Sequence, residues 1–244
     1  MIDLTKATKT KKLRPPRVVI YGTGKCGKST FASNAPNPFF MDIEDGLDNI
    51  ETTSTRITTY PEFEETLTAL FEQDHKFETL VIDSADWLES LIWKEVATNN
   101  NVASIEDLGY GKGYTYALAM WKEVLNGLTE LRNTKHMGII VICHDKVRTY
   151  SNPMGDSYDR YSLKLHDSKN TSAVDLMKEW ADCILFAKDK ESVNAEGNAV
   201  SVGRKIYTTE TPAFLAGNRY NLPKELPLDW NAFIEAFNKS TQGE

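Results

Sequence analysis

The sequence predicts an α/β fold, a mostly parallel central sheet flanked by helices, on three observations. Short apolar runs alternate with segments of helical periodicity. Those runs are apolar throughout rather than on alternate residues, as in strands covered on both faces. The first run leads directly into a glycine-rich octet, Gly22-Thr23-Gly24-Lys25-Cys26-Gly27-Lys28-Ser29, and then into a helical segment.

Taken in order, residues 1–16 read as a flexible basic arm ending in Pro15-Pro16, and residues 17–21 as a buried strand. Residues 28–34 begin a helix and residues 38–42 form a second strand. Pro61 opens a helix with Phe63, Leu67, Leu70 and Phe71 on one face. Residues 79–83 are a third strand, apolar until Asp83, and residues 84–97 read as helical. A polar stretch, Asn99-Asn100-Asn101, and then Gly109-Tyr110-Gly111-Lys112-Gly113-Tyr114 precede the clearest helix. In it Tyr114, Ala117, Leu118, Trp121, Val124, Leu125, Leu128 and Leu131 recur at helical spacing, as in a core helix. Residues 138–143 are a fourth buried strand. Residues 145–170 are polar, turn-rich and too long for an ordinary connection, so they read as functional or disordered. Residues 181–187 and 200–208 are later strands, and residues 230–238 a closing amphipathic helix. One domain over 17–239 with a tail at 240–244 accounts for the chain.

At 244 residues, with 41% hydrophobic and 10% aromatic content, there is material for one substantial core. No apolar run is long enough to span a bilayer, and the first residues hold no apolar leader segment. Cys26, Cys143 and Cys183 have neither metal-ligand spacing nor an even number for disulfides. A reducing, cytoplasmic setting without membrane attachment is therefore expected. The net charge of −7 argues against a bulk polyanion binder. It is unevenly spread: Lys6, Lys9, Lys11, Lys12, Arg14 and Arg17 face Asp3 alone in the first 17 residues. Such an arm is either a nucleic-acid contact or a solvated tail.

The octet 22–29 satisfies G-x-x-x-x-G-K-[ST] between a strand and a helix, the setting in which that pattern cradles phosphates. Glycines let the backbone turn its N–H groups inward. Lys28 then reaches the β- and γ-phosphates, Ser29 ligates Mg²⁺, and Thr30 can donate to the α-phosphate. ATP and Mg²⁺ are the expected ligands. Asp83, at the C-terminal end of its strand, fits a Mg²⁺-shell carboxylate or a helix cap, with Asp86 as a competitor inside the helix. Glu44 follows the second strand in Asp42-Ile43-Glu44-Asp45-Gly46-Leu47-Asp48. It is either a base for an attacking water or part of a solvated acidic turn.

The ordered set, from glycine-rich octet to Asp42-Ile43-Glu44, Asp83-Ser84 and His144 with its long loop, resembles the RecA-type ATPase core. More closely, residues 17–223 resemble the phage RecA-like ATP-binding proteins that act as single-strand annealing recombinases, through the element Gly109-Tyr110-Gly111-Lys112-Gly113-Tyr114. The resemblance implies that Glu44 is the general base, that Asp83 supports Mg²⁺, and that His144 senses the γ-phosphate and couples it to the following loop. It implies a first DNA loop with Tyr110, Lys112 and Tyr114, and a second with Lys146, Arg148, Arg160, Lys164 and Lys169. Tyr114 also fits core packing. Asp145, Asp156, Asp159 and Asp167 dilute the second loop's charge. Gly217-Asn218-Arg219 resembles a Lys-Asn-Arg element, with Gly217 replacing the lysine. Arg219, and less so Arg204 and Lys205, are candidates for a basic finger acting on a neighbour's nucleotide, or for surface ion pairs. The function implied is an ATP-dependent DNA recombination protein that binds single-stranded DNA as a ring or filament of its own copies. A single-strand binding protein is a further expected partner. A small-molecule kinase and a nucleotide-binding regulatory or replication module are the alternatives.

Overall fold

The computed structural model describes residues 14–193 and 197–242. Most of the basic arm, with Asp3, Lys6, Lys9, Lys11 and Lys12, and the last two tail residues lie outside them. Six parallel strands form the centre of a ten-stranded sheet: β1 (Arg17–Gly22), β2 (Pro38–Asp42), β3 (Thr53–Arg56), β4 (Thr79–Asp83), β5 (Gly138–Tyr150) and β7 (Cys183–Val193). Their order across the sheet is β7-β1-β5-β4-β2-β3. Antiparallel strands complete it: β6 (Tyr158–Leu163) on β5, β8 (Ala199–Tyr207) and β9 (Gly217–Asn218) on β7, and β10 (Glu225–Pro227) on β8.

The inner strands of the parallel sheet are covered on both faces, which is why their buried stretches are apolar, whereas the edge strand β3 is exposed. Val19, Tyr21, Met41, Ile82 and Val141 point to one face. There they meet α2 (Tyr60–Glu72), α3 (Ala85–Asn99), α4 (Lys112–Thr134) and α5 (Ala173–Trp180). Val18, Ile20, Phe40, Val81 and Ile142 point to the other, against α1 (Lys28–Ser33) and α6 (Trp230–Gln242). Phe63 of α2 is fully buried, a contribution of about 1.5–3 kcal/mol. Helix α2 starts at a capping box: Thr59 Oγ1 accepts from Glu62 N, and Glu62 Oε2 accepts from Thr59 N.

Several elements depart from the sequence reading. Residues 145–170 are not an irregular loop. β5 continues past the sheet to Tyr150 and returns as β6, pairing Asp145 with Leu163 through Tyr150 with Tyr158. Cross-strand contacts support this ribbon: the Arg160 guanidinium lies 4.2 Å from the Tyr150 ring centre, and Thr149 Oγ1 donates to Asp159. The short helix α5, whose Val174, Met177 and Trp180 are buried, and the exposed edge strand β3 lie outside the elements read from the sequence.

At the sheet's N-terminal end the buried Asp182 carboxylate gathers three arginines, Arg17 at 2.8 Å and Arg132 and Arg219 each at 3.2 Å. Burial alone would raise this carboxyl, but hydrogen bonds from Arg17 outweigh it and hold it below the usual carboxylate range. The pairing fastens β1, α4 and β7 together at the pole opposite the octet 22–29.

Candidate functional site

Register along the parallel strands brings the predicted residues to one edge. Gly22 lies beside His144, and Asp42 beside Asp83. β5 separates the glycine-rich turn on β1 from Asp83 on β4, so the residues that follow β1, β2, β4 and β5 converge on one crevice at the strands' C-terminal ends.

The turn is held by close approach. Gly22 has φ +148°, and a Cβ there would lie 1.9 Å from the Ala187 carbonyl oxygen of β7. Gly27 is left-handed at φ 106° and caps α1 without a side-chain hydrogen bond. That leaves the first-turn N–H groups of α1 without a side-chain acceptor, as a phosphate cradle requires. A Cβ on Gly27 would lie 3.2 Å from Nη1 of Arg204, so this arginine sits against the turn of its own chain. The buried Lys28 ammonium donates to the carbonyls of Gly22 (2.8 Å) and Thr23 (3.0 Å). Gly24, Lys25 and Thr30 are exposed, whereas Cys26 is buried.

Ser29 Oγ donates to Asp83 Oδ2 at 2.6 Å. Burial pushes the Asp83 carboxyl up to about 6; the Ser29 hydrogen bond opposes this, and the Glu44 and Asp42 charges add to it. A buried carboxylate with negative neighbours and a hydroxyl in contact fits a divalent cation, which Ser29 and Asp83 would hold. Among the described residues no group of three His, Cys, Asp or Glu side chains could hold a metal alone. The rest of its shell therefore falls to phosphate oxygens and water, as Mg²⁺ favours. When bound, the ion neutralises charge building on the phosphates.

Glu44 N donates to the Asp83 carbonyl at 3.2 Å, which turns the Glu44 side chain over the end of β4. Its Oε1 is 3.4 Å from His144 Nε2. His144 Nδ1 faces both Asp86 carboxylate oxygens at 3.0 Å, and His144 N also donates to Asp86 at 3.2 Å. Asp86 in turn accepts from Ser84 Oγ and lies 3.4 Å from Lys164 Nζ. A line of charged groups, Glu44–His144–Asp86–Lys164, thus runs from the crevice to the base of the hairpin. Sequence reasoning considered Asp86 only as a metal competitor and missed this role. The available signal was a carboxylate in the first turn of a helix that opens at the crevice.

Burial would raise the Asp86 carboxyl, but hydrogen bonds and charge from His144 outweigh it and hold it at about 2. The same hydrogen bond raises His144 above its ordinary value. The signs set a window. The Asp86 contribution to stability is present above its unfolded value of 3.8 and is lost as pH falls toward 2. The His144 contribution is fully present below 6.5 and is lost as pH rises through its raised value. Thermal melts of an Asp86→Asn variant should therefore differ most from wild type between about pH 4 and 6.5, the gap narrowing on either side. A gap that does not vary with pH would rule out the ion pair.

The other predicted residues are dispersed. Tyr110 and Lys112 are exposed at the start of α4. Lys146, Arg148 and Arg160 lie on the hairpin, with Lys164 just after it and Lys169 exposed further on. Two are engaged internally: Arg148 donates to the Leu165 carbonyl, and Arg160 pairs with Glu210 at 2.5 Å. Arg219 is not at this crevice; it sits on Asp182 at the opposite pole. Lys205 is 3.7 Å from Glu225. No described helix is long and apolar enough to cross a membrane.

A family model described as an AAA domain matches residues 14–220. No curated protein matches the chain.

Proposed function

The chain belongs to the AAA-domain family of P-loop ATPases, and from that premise we propose that it is an ATP-dependent DNA recombination protein. In this reading it binds single-stranded DNA as an assembly of its own copies and promotes annealing or strand exchange. Members of this class bind ATP and use a divalent metal, here taken to be Mg²⁺. Lys28 and the turn 22–29 hold the phosphates, and Glu44 accepts the proton of the attacking water.

One observation carries the reading beyond nucleotide hydrolysis. The strand whose tip sets His144 beside Glu44 continues without interruption into the hairpin that bears Lys146, Arg148 and Arg160. A change at the γ-phosphate, felt by Glu44 and His144, is thereby joined mechanically to the hairpin that bears these basic residues. Arg219 fits a role in assembly. It lies at the pole opposite the chain's own octet with its side chain 54% exposed, where a head-to-tail neighbour's nucleotide could meet it.

The test is the rate of phosphate release from ATP with and without single-stranded DNA. Stimulation by the strand is expected. A rate indifferent to DNA, or transfer of phosphate to a nucleoside or nucleotide, overturns the proposal.

A further inference from the structure

We infer that the cleft between α3 and the β5–β6 hairpin seats one nucleotide of a single strand. Trp87 is its stacking surface, and Lys164 is the phosphate contact that reports occupancy to His144. This deepens the DNA-acting reading and rests on it.

The cleft has a volume of about 560 Å³, within the range of small-molecule sites. Trp87 lines one side. It is 46% exposed on a helix whose core positions are filled by Leu88, Ile92 and Val96, so packing gives no account of an indole here. His166 and Trp93 form the back wall, and behind it the Tyr114 ring stacks on His166 at 4.1 Å and meets Trp93 edge-on. The segment 109–114 and the segment after β6, distant in sequence, therefore meet at one place. Aromatic faces beside lysines are what a single strand needs, since every base offers a π-face and every linkage a charge.

The charge balance favours an anion. Lys146 is exposed and pairs with no carboxylate among the described residues. The acids of the cleft are occupied: Asp167 by Ser172 and Arg148, and Asp86 by His144. Glu89 accepts from His166 N and Trp121 Nε1, and burial pushes its carboxyl up to about 7. Among the described residues the Lys164 ammonium, with its side chain 55% exposed, pairs with Asp86 at 3.4 Å. A phosphate in the cleft competes for that ammonium. Drawing it away leaves Asp86 to His144 and the Ser84 hydroxyl, and His144 faces Glu44 at 3.4 Å. Lys164 is thus a positioning residue for the hydrolytic centre.

The test uses the full chain, labelled oligothymidine and a non-hydrolysable ATP analogue, read by fluorescence anisotropy. Trp87→Ala should weaken binding about tenfold, while Trp87→Phe keeps most of it. In phosphate-release assays at saturating strand, Lys164→Gln should bring the ratio of rates with and without DNA close to one, and Lys164→Arg should restore it. Wild-type behaviour of Trp87→Ala or of Lys164→Gln overturns the role given to that residue, while the DNA-acting function stands. If the wild-type chain neither binds the strand nor responds to it, the function itself falls.

Discussion

A Glu44→Gln variant is expected to bind ATP as wild type does and to turn it over about 10²–10⁴-fold more slowly, the usual worth of a positioned base. The backbone N–H of Glu44 is anchored on the Asp83 carbonyl, so the side chain is aimed by the sheet rather than by a free loop. Its side chain is 33% exposed, open enough for water to reach it. Glutamine keeps the size of the side chain and an oxygen for His144 but takes no proton at neutral pH. Binding of a fluorescent ATP analogue, measured beside steady-state phosphate release, separates the two effects. Undiminished turnover would remove Glu44 as the base and leave it as an anchor for His144.

The largest effect on stability is expected at Gly22→Ala. The backbone there has φ +148°, which L-residues rarely adopt, and the added methyl carbon would lie 1.9 Å from the Ala187 carbonyl oxygen. That oxygen belongs to a strand hydrogen-bonded to β1, so it cannot retreat without parting the two strands. Overpacking against backbone should cost about 3 kcal/mol. For a chain of this length that lowers Tm by about 6–12 °C. Gly24→Ala is the control, because a Cβ at Gly24 meets nothing within 4 Å and its stability should stay near wild type. Equal melting of the two variants would show that β7 does not bind the turn so closely.

The central strands were legible because their chemistry is local. A strand covered on both faces must be apolar at every position, and Val18-Val19-Ile20-Tyr21, Leu80-Val81-Ile82 and Ile139-Ile140-Val141-Ile142 are so. β3, the sequence Thr53-Ser54-Thr55-Arg56, is exposed throughout and gave no such signal. The hairpin was unreadable for a related reason. Its strands are held by a ladder and by pairs such as Arg160 with Tyr150 and Glu210, none of which leaves an apolar pattern.

The same division runs through the site. The octet 22–29 and Asp83 were legible from their place at strand ends, whereas the roles of Glu44 and His144 came from the resemblance to the RecA-type core. Their meeting at one crevice follows from parallel register. Asp86 was weighed only as a rival of Asp83 for the metal, because the residue it pairs with is not visible nearby in the chain. Its partner His144 stands 58 positions away. Arg219 left a finger and a surface ion pair both open, and its contact with Asp182, 37 positions earlier, appears only in the tertiary structure. The sequence by itself determined the alternating architecture and the phosphate-binding turn, which depend on burial and backbone freedom within a few residues. Only the tertiary structure decided which charges touch, because ion pairs form across strands and leave no periodic trace in the chain.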